Sequence, residues 1–271
     1  MIRGHQGSFT FARKSTILLA ALSIAAVVGV PFVIFDIPAA GPPVTQFENV
    51  GDGFPPTLPS KSSPAILFIG DSYTQGPGTP DLSYGCMTAT ELGWECNIAA
   101  QGGTGYLSGG PGHRLPVSQP DMPSTSFIER LPRLRELYRA DVVILDGGRN
   151  DMQFATFDVD PIFEYTVKQV IKSWPNSHII VIAPWFLNEP VIRPPSLAGG
   201  TIGDDFRSVL RSNSDFDAVD FIDPGALGWF VGIDISPYVS DDGIHPTFAG
   251  VKKIAELLTE ALKAKGFTNP S

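Results

Sequence analysis

The sequence predicts a three-layer α/β/α domain around a mainly parallel sheet of five strands, preceded by an apolar segment that is not part of it. Three observations lead there. From residue 64 onward, short apolar runs alternate with helical patterns; polar, glycine-rich segments follow the first three runs; and the first 63 residues have a composition of their own.

In chain order, Arg3, Arg13 and Lys14 precede an uncharged stretch from Thr16 to Phe35, which Asp36 ends. About 20 apolar residues span a bilayer as helix, whereas the apolar core of a signal peptide runs about 7–15. No polar face exists for solvent, so a buried core helix does not fit. Residues 1–35 therefore read as a cytoplasmic basic flank and membrane anchor, in preference to a cleaved signal peptide. Ser23-Ile24-Ala25 and Ala39-Ala40 are weak cleavage sites. The basic flank stays cytoplasmic, which places the domain that follows outside as a single-pass protein, or secreted if the segment is cleaved. Residues 36–63, with Pro42-Pro43 and Pro55-Pro56, form a Pro/Gly-rich tether.

Residues 64–271 make the domain. Its expected strands are 65–69, 97–100, 141–146, 179–183 and 219–222, and its expected helices are 80–92, 127–139, 161–173, 202–212 and 247–265. The first strand, Ala65-Ile66-Leu67-Phe68-Ile69, is apolar throughout, as a strand covered on both faces must be. Strand-helix alternation implies right-handed crossovers and a parallel sheet, whose ligands sit beyond the carboxyl ends of the strands. Gly70-Asp71-Ser72, Gln101-Gly102-Gly103-Thr104-Gly105 and Gly147-Gly148-Arg149-Asn150-Asp151 all project from that edge.

Composition removes some classes of function. A formal net charge of -9 without a Lys/Arg cluster in the domain argues against a nucleic-acid partner. Cys86 and Cys96 are expected to form one disulfide, consistent with export; two unpaired buried thiols are the other reading. Two cysteines are too few for structural zinc, and no metal or other cofactor is expected.

Acyl transfer needs a nucleophile, a base and an anion site. Ser72 stands at a strand end, where a tight turn exposes its hydroxyl, and a serine needs a base to take its proton. Of the four histidines, His5 precedes the apolar segment, His113 lies in a Gly/Pro-rich loop and His178 just before the fourth strand. Only His245 has a carboxylate at a useful offset, Asp242, which can hold the imidazole Nδ1–H and leave Nε2 to accept a proton. The Ser72 and Gly102 N–H groups and the Asn150 amide are the expected oxyanion donors.

Neighbouring residues have plainer readings. Asp71 is expected to make the turn, Asp151 to cap the following helix, and Arg149 to pair with an acid such as Asp151. Trp185-Phe186 and Trp229-Phe230 are candidates to line an acyl or sugar pocket. The loop from Ser108 to Ser126 is a candidate lid.

The motifs carry a resemblance. Gly70-Asp71-Ser72-Tyr73 resembles block I of the SGNH hydrolases (GDSL esterases and lipases), and Asn97-Ile98-Ala99-Ala100-Gln101-Gly102 is similar to their block II. Gly148-Arg149-Asn150-Asp151 resembles block III, and Asp242-Gly243-Ile244-His245-Pro246 resembles block V. The likeness spans about residues 64–265, with Ala99 standing where many members have glycine. It implies a flavodoxin-like fold and hydrolysis of carboxylic esters without metal, with acyl transfer to sugars in some members. The expected function is an exported serine esterase acting through an acyl-serine on small-molecule, lipid or glycan esters, such as acetyl or short acyl esters of the envelope. An O-acyltransferase and a non-catalytic surface binding domain are the alternatives.

Overall fold

The computed structural model describes residues 63–115, 123–187, 196 and 199–268. The expected anchor and nearly all of the tether, residues 1–62, lie outside them, as does the middle of the candidate lid, 116–122. No helix among the described residues is long and apolar enough to cross a membrane.

Five strands form one parallel sheet: β1 (Ala65–Gly70), β2 (Glu95–Ala100), β3 (Val142–Asp146), β4 (His178–Ile182) and β5 (Val219–Ile222), in the order β2-β1-β3-β4-β5. Among the described residues six α-helices accompany them: α1 (Ser72–Gln75), α2 (Tyr84–Glu91), α3 (Phe127–Leu137), α4 (Thr156–Ser173), α5 (Ile202–Arg211) and α6 (Phe248–Ala264).

Side chains of a strand alternate between faces, and here the two faces bury separate cores. Even-numbered Ile66, Phe68, Val142, Ile144, Ile180 and Ile182 pack with Ala89 of α2 and Val251, Ile254 and Leu258 of α6. Odd-numbered Leu67, Ile69, Val143, Leu145, Ile179 and Val181 pack with Leu131 of α3, Phe163 and Val167 of α4 and Phe206 of α5. Each large aliphatic buried this way contributes roughly 1.5–3 kcal/mol. Two helical layers thus sandwich one sheet, as the apolar runs required.

Several boundaries differ from expectation by one or two residues or more, and three of them are instructive. β2 starts two residues early because Glu95 N–H donates to Pro64 O at 2.8 Å, extending the ladder back past β1. The expected helix at 80–92 is broken into a 3-10 turn, Pro80–Leu82, and α2, which Ser83 caps by accepting from Cys86 N–H at 3.1 Å. α4 starts at Thr156, not 161. Pro161, a residue type favoured at the first helical position, is carried inside the helix.

Cys86 of α2 and Cys96 of β2 form the expected disulfide, with Cα atoms 5.2 Å apart. It pins α2 to the edge strand β2.

Candidate active site

β1 delivers the chain to a turn that only glycine can enter. A Cβ on Gly70 would lie 1.9 Å from Thr74 Oγ1 and 2.9 Å from Asp146 O. Asp71 then caps α1, its Oδ1 accepting from Tyr73 N–H at 2.9 Å, as the turn reading expected. Ser72 is the first residue of α1, so its N–H belongs to the first-turn donors that no helical carbonyl can reach.

The facing loop is tied by backbone bonds. Ser240 N–H donates to His245 O at 2.8 Å, Thr247 N–H to Tyr238 O at 2.9 Å, and Gly243 N–H to Ser240 O at 2.9 Å, with Gly243 at φ 71°. Asp242 Oδ1 accepts from Ser240 Oγ (2.7 Å), Ile244 N–H (2.8 Å) and His245 N–H (2.9 Å). Its Oδ2 meets His245 Nδ1 at 2.6 Å, and His245 Nε2 meets Ser72 Oγ at 2.9 Å. With Nδ1–H donated to the carboxylate, Nε2 is left to accept the Ser72 hydroxyl. The bond from the His245 ring, and then those from backbone and Ser240, hold the Asp242 carboxyl far below the usual carboxylate range. Both side chains remain accessible, Asp242 49% and His245 42% exposed.

Gly102 and Asn150 flank Ser72 in a cleft of about 280 Å³ that also takes in Phe186, Ile244 and His245. Asn150 Nδ2 donates to Thr104 O at 2.9 Å and lies 3.5 Å from Asp71 Oδ2. Gly102 N–H donates to Gln75 Oε1 at 3.0 Å. A second cleft of about 290 Å³, lined by Gln75, Gly76, Pro77 and Pro246, opens on the other side of Ser72 and His245. Larger cavities of about 550 and 490 Å³ lie beside β5 and between α2 and α6, and neither holds any of these groups. Converging chemistry, and not size, locates the site.

Beneath Ser72 is a buried ionic cluster. Arg149 binds Asp71 through Nε (3.0 Å) and Nη2 (2.8 Å), reaches Asp146 Oδ1 at 3.1 Å, and lies 4.4 Å from the Tyr73 ring centre. Asp146 also accepts from Thr74 Oγ1 at 2.9 Å and from Tyr84 Oη. Burial pushes the Asp146 carboxyl up, while Asp71 and Asp146 hold the Arg149 guanidinium above its ordinary value against the pull of burial.

Several expectations need correction. Arg149 pairs with Asp71 and Asp146, not Asp151. Asp151 does not cap α4, whose first turn has no side-chain cap. It is buried and accepts from the N–H groups of Tyr106 (2.9 Å), Leu107 (3.0 Å) and Ser108 (2.8 Å), fixing the loop after β2. Trp185 and Trp229 do not line the cleft: they are 4% and 6% exposed and meet edge to face at 5.5 Å within the core. Large apolar rings gain more from that packing than from a wet cleft. Phe186, the neighbour of Trp185, lines it instead.

Arg130 was not anticipated at all. Its guanidinium donates to Gly70 O (2.9 Å), Ala99 O (3.0 Å), Thr125 O (2.7 Å) and Thr125 Oγ1 (3.2 Å), and to Thr104 Oγ1. It fastens the ends of β1 and β2 to the loop that carries Gly102. Burial lowers it to about 10, opposed by Asp71 and Glu129, so it stays charged at neutral pH. On helical periodicity it looks like its surface neighbours Arg133 and Arg135, so no sequence signal could have found it.

A hydroxyl, an imidazole and a carboxylate in one hydrogen-bonded line, with amide donors beside them at the carboxyl edge of a parallel sheet, define an acyl hydrolase class of site. The comparisons agree. Residues 68–253 match the GDSL-like lipase/acylhydrolase family, and the chain belongs to it.

Among solved structures, the chain is similar to a family two carbohydrate esterase from Clostridium thermocellum in complex with cellohexaose, at 22% identity and TM-score 0.53 over 75% of this chain and 65% of that one. The chain thus spans just under two thirds of that protein. It is also similar to the inhibitor-bound M. smegmatis aryl esterase (20% identity, TM-score 0.51, 74% of this chain and 99% of that one). A third likeness is to Est24, a carbohydrate acetylesterase from Sinorhizobium meliloti (18%, TM-score 0.50, 74% and 99%). At these identities the structural likeness speaks for the fold. No curated protein matches the chain by sequence.

Proposed function

We propose that the chain is a serine esterase in which Ser72 is the nucleophile, His245 the base and Asp242 the group that orients it. The observation that carries this reading is the unbroken line from Ser72 Oγ to His245 Nε2 (2.9 Å) and from His245 Nδ1 to Asp242 Oδ2 (2.6 Å). Ser72 Oγ attacks the ester carbonyl as its proton passes to Nε2. The Ser72 and Gly102 N–H groups and the Asn150 amide receive the oxyanion. Collapse expels the alcohol, which takes the proton from the imidazolium and leaves an acyl-serine. Water then attacks and gives its proton to His245; the imidazolium returns that proton to Ser72 Oγ as the bond to the acyl carbon breaks, and the carboxylic acid departs. Ser72→Ala and His245→Ala should each lower turnover of p-nitrophenyl acetate by at least about 1000-fold. Near-native turnover in both would overturn the mechanism.

The substrate class is proposed from the size of the cleft and the open second side. About 280 Å³ suits an acetyl or short acyl group, and the cleft beside Gln75 has room for the alcohol of a glycan or lipid ester. Carbohydrate esterases among the similar structures support the glycan option. That same open side favours a second reading, transfer to a sugar hydroxyl in place of water. Mass analysis of a glycan acceptor incubated with an acyl donor separates the two, since only transfer yields an acylated acceptor. A non-catalytic binding domain is the third reading, and absence of fluorophosphonate labelling at Ser72 would favour it. Residues 1–35 are proposed to hold the domain outside the cytoplasm; protease added to intact cells should then remove the activity.

A further inference from the structure

We propose that Gln75 is a specificity-determining residue that selects esters whose alcohol carries hydroxyl groups. The inference rests on Ser72 being the nucleophile and on Gly102 being an oxyanion donor. The Gly102 N–H is already engaged by Gln75 Oε1 at 3.0 Å. That oxygen belongs to a carbonyl, as the oxygen of an ester does. A Cβ placed on Gly102 would be 3.5 Å from Gln75 Oε1 and 3.6 Å from Ser72 Cβ, so Gln75 and Ser72 both lie against Gly102. One N–H serves one acceptor well, and an ester carbonyl therefore has to displace Gln75. The anion site is half closed: Asn150 has an N–H spent on Thr104 O and otherwise only a 3.5 Å contact to Asp71, whereas the Gly102 donor is taken.

Displacement is feasible because Gln75 is exposed and ends the short helix α1. The displaced side chain has somewhere to go. Gln75 lines the cleft with Gly76, Pro77 and Pro246 that shares Ser72 and His245, where the alcohol of a bound ester would lie. Of the lining residues the prolines and Gly76 bring no side-chain polar group, and Ser72 and His245 are engaged with each other, so the released amide is the side chain left to hydrogen-bond the alcohol there. A primary amide both donates and accepts, which matches a hydroxyl. An alcohol with hydroxyls restores the bond that the ester carbonyl broke; a plain alkyl alcohol leaves it unmade.

Glycerol monoacetate and propyl acetate isolate the effect, since their alcohols have the same carbon chain and differ in hydroxyls. Acid release is followed by pH-stat titration. Gln75→Ala should raise kcat/KM for propyl acetate about 3- to 10-fold, the scale of one net hydrogen bond, and raise it for glycerol monoacetate by clearly less. Gln75→Glu, whose charged oxygen holds the Gly102 N–H more tightly, should slow both esters. Equal acceleration of the two esters by Gln75→Ala, or slowing of both, overturns the proposal. The underlying reading is checked separately by fluorophosphonate labelling of Ser72 in the wild type. No labelling there removes the nucleophile itself; labelling with an unchanged ester ratio in Gln75→Ala removes only the role of Gln75.

Discussion

Tyr73 joins the two halves of the site by one hydroxyl. It donates to Ile244 O at 2.5 Å and accepts from Leu187 N–H at 3.3 Å, tying the turn of Ser72 to the loop of His245. Burial pushes the phenol up to about 12, so it remains a donor throughout the neutral range. Tyr73→Phe leaves the ring contacts and frees Ile244 O. The expected result is a fall in kcat of about tenfold with KM little changed, and a stability loss of about 1–2 kcal/mol by urea titration. Asp242 has a different signature. Its carboxyl stays ionised far below the usual range, so protonation of Asp242 does not shape the acid limb of the rate profile near neutrality. Asp242→Asn should still cost about 100- to 10,000-fold in kcat at neutral pH, because an amide cannot stabilise the imidazolium; steady-state kinetics of a p-nitrophenyl ester would read it. Ser72, Asp242 and His245 were legible because each sits in a short motif whose partners are local or few. Gln75 and Arg130 were not, since they bond to backbone N–H and carbonyl groups that no letter of the sequence marks.

Among the elements, α2 and β2 depend on each other. Among the described residues β2 is an edge strand, bonded to β1 alone, and Glu95 at its start is exposed. The bond between Cys86 and Cys96 closes a loop of 10 residues' separation. Replacing both cysteines by alanine should lower unfolding free energy by roughly 2–3 kcal/mol, measured by guanidinium titration. The pairing was readable from count and spacing. The ends of α2 and α4 were less so: Pro80 and Pro161 both mark helix starts in general, yet Pro80 opens only a 3-10 turn and Pro161 sits inside α4. The aromatic pairs show the same ambiguity. Trp185 and Trp229 follow strand ends, as pocket residues would, but a core that extends to those ends claimed them.

For the whole molecule, the near-continuous apolar runs of β1, β3 and β4 were the clearest signal, because a sheet covered on both faces needs apolar residues at nearly every position. Its stability against pH has one predictable component. Burial, and then the charge of Asp205, pushes Asp160 up from 3.8 to about 6. Folding therefore favours the protonated acid. That contribution is complete below about pH 4 and is lost as pH rises through about 6. Asp160→Asn should raise the melting temperature relative to wild type at pH 7.5, and the difference should vanish near pH 4. A difference independent of pH would count against this account.

The partners Ser72 and His245 are 173 positions apart. Ser72 follows the first strand, and His245 comes just before the last helix, α6, which lies on α2 with Thr88 Oγ1 donating to Ala255 O at 3.2 Å. A chain emerging from the ribosome thus displays its serine long before the imidazole exists. On the proposed mechanism a chain that stops short of residue 245 carries the nucleophile without its base, so an esterase assay would count only chains made nearly to the end.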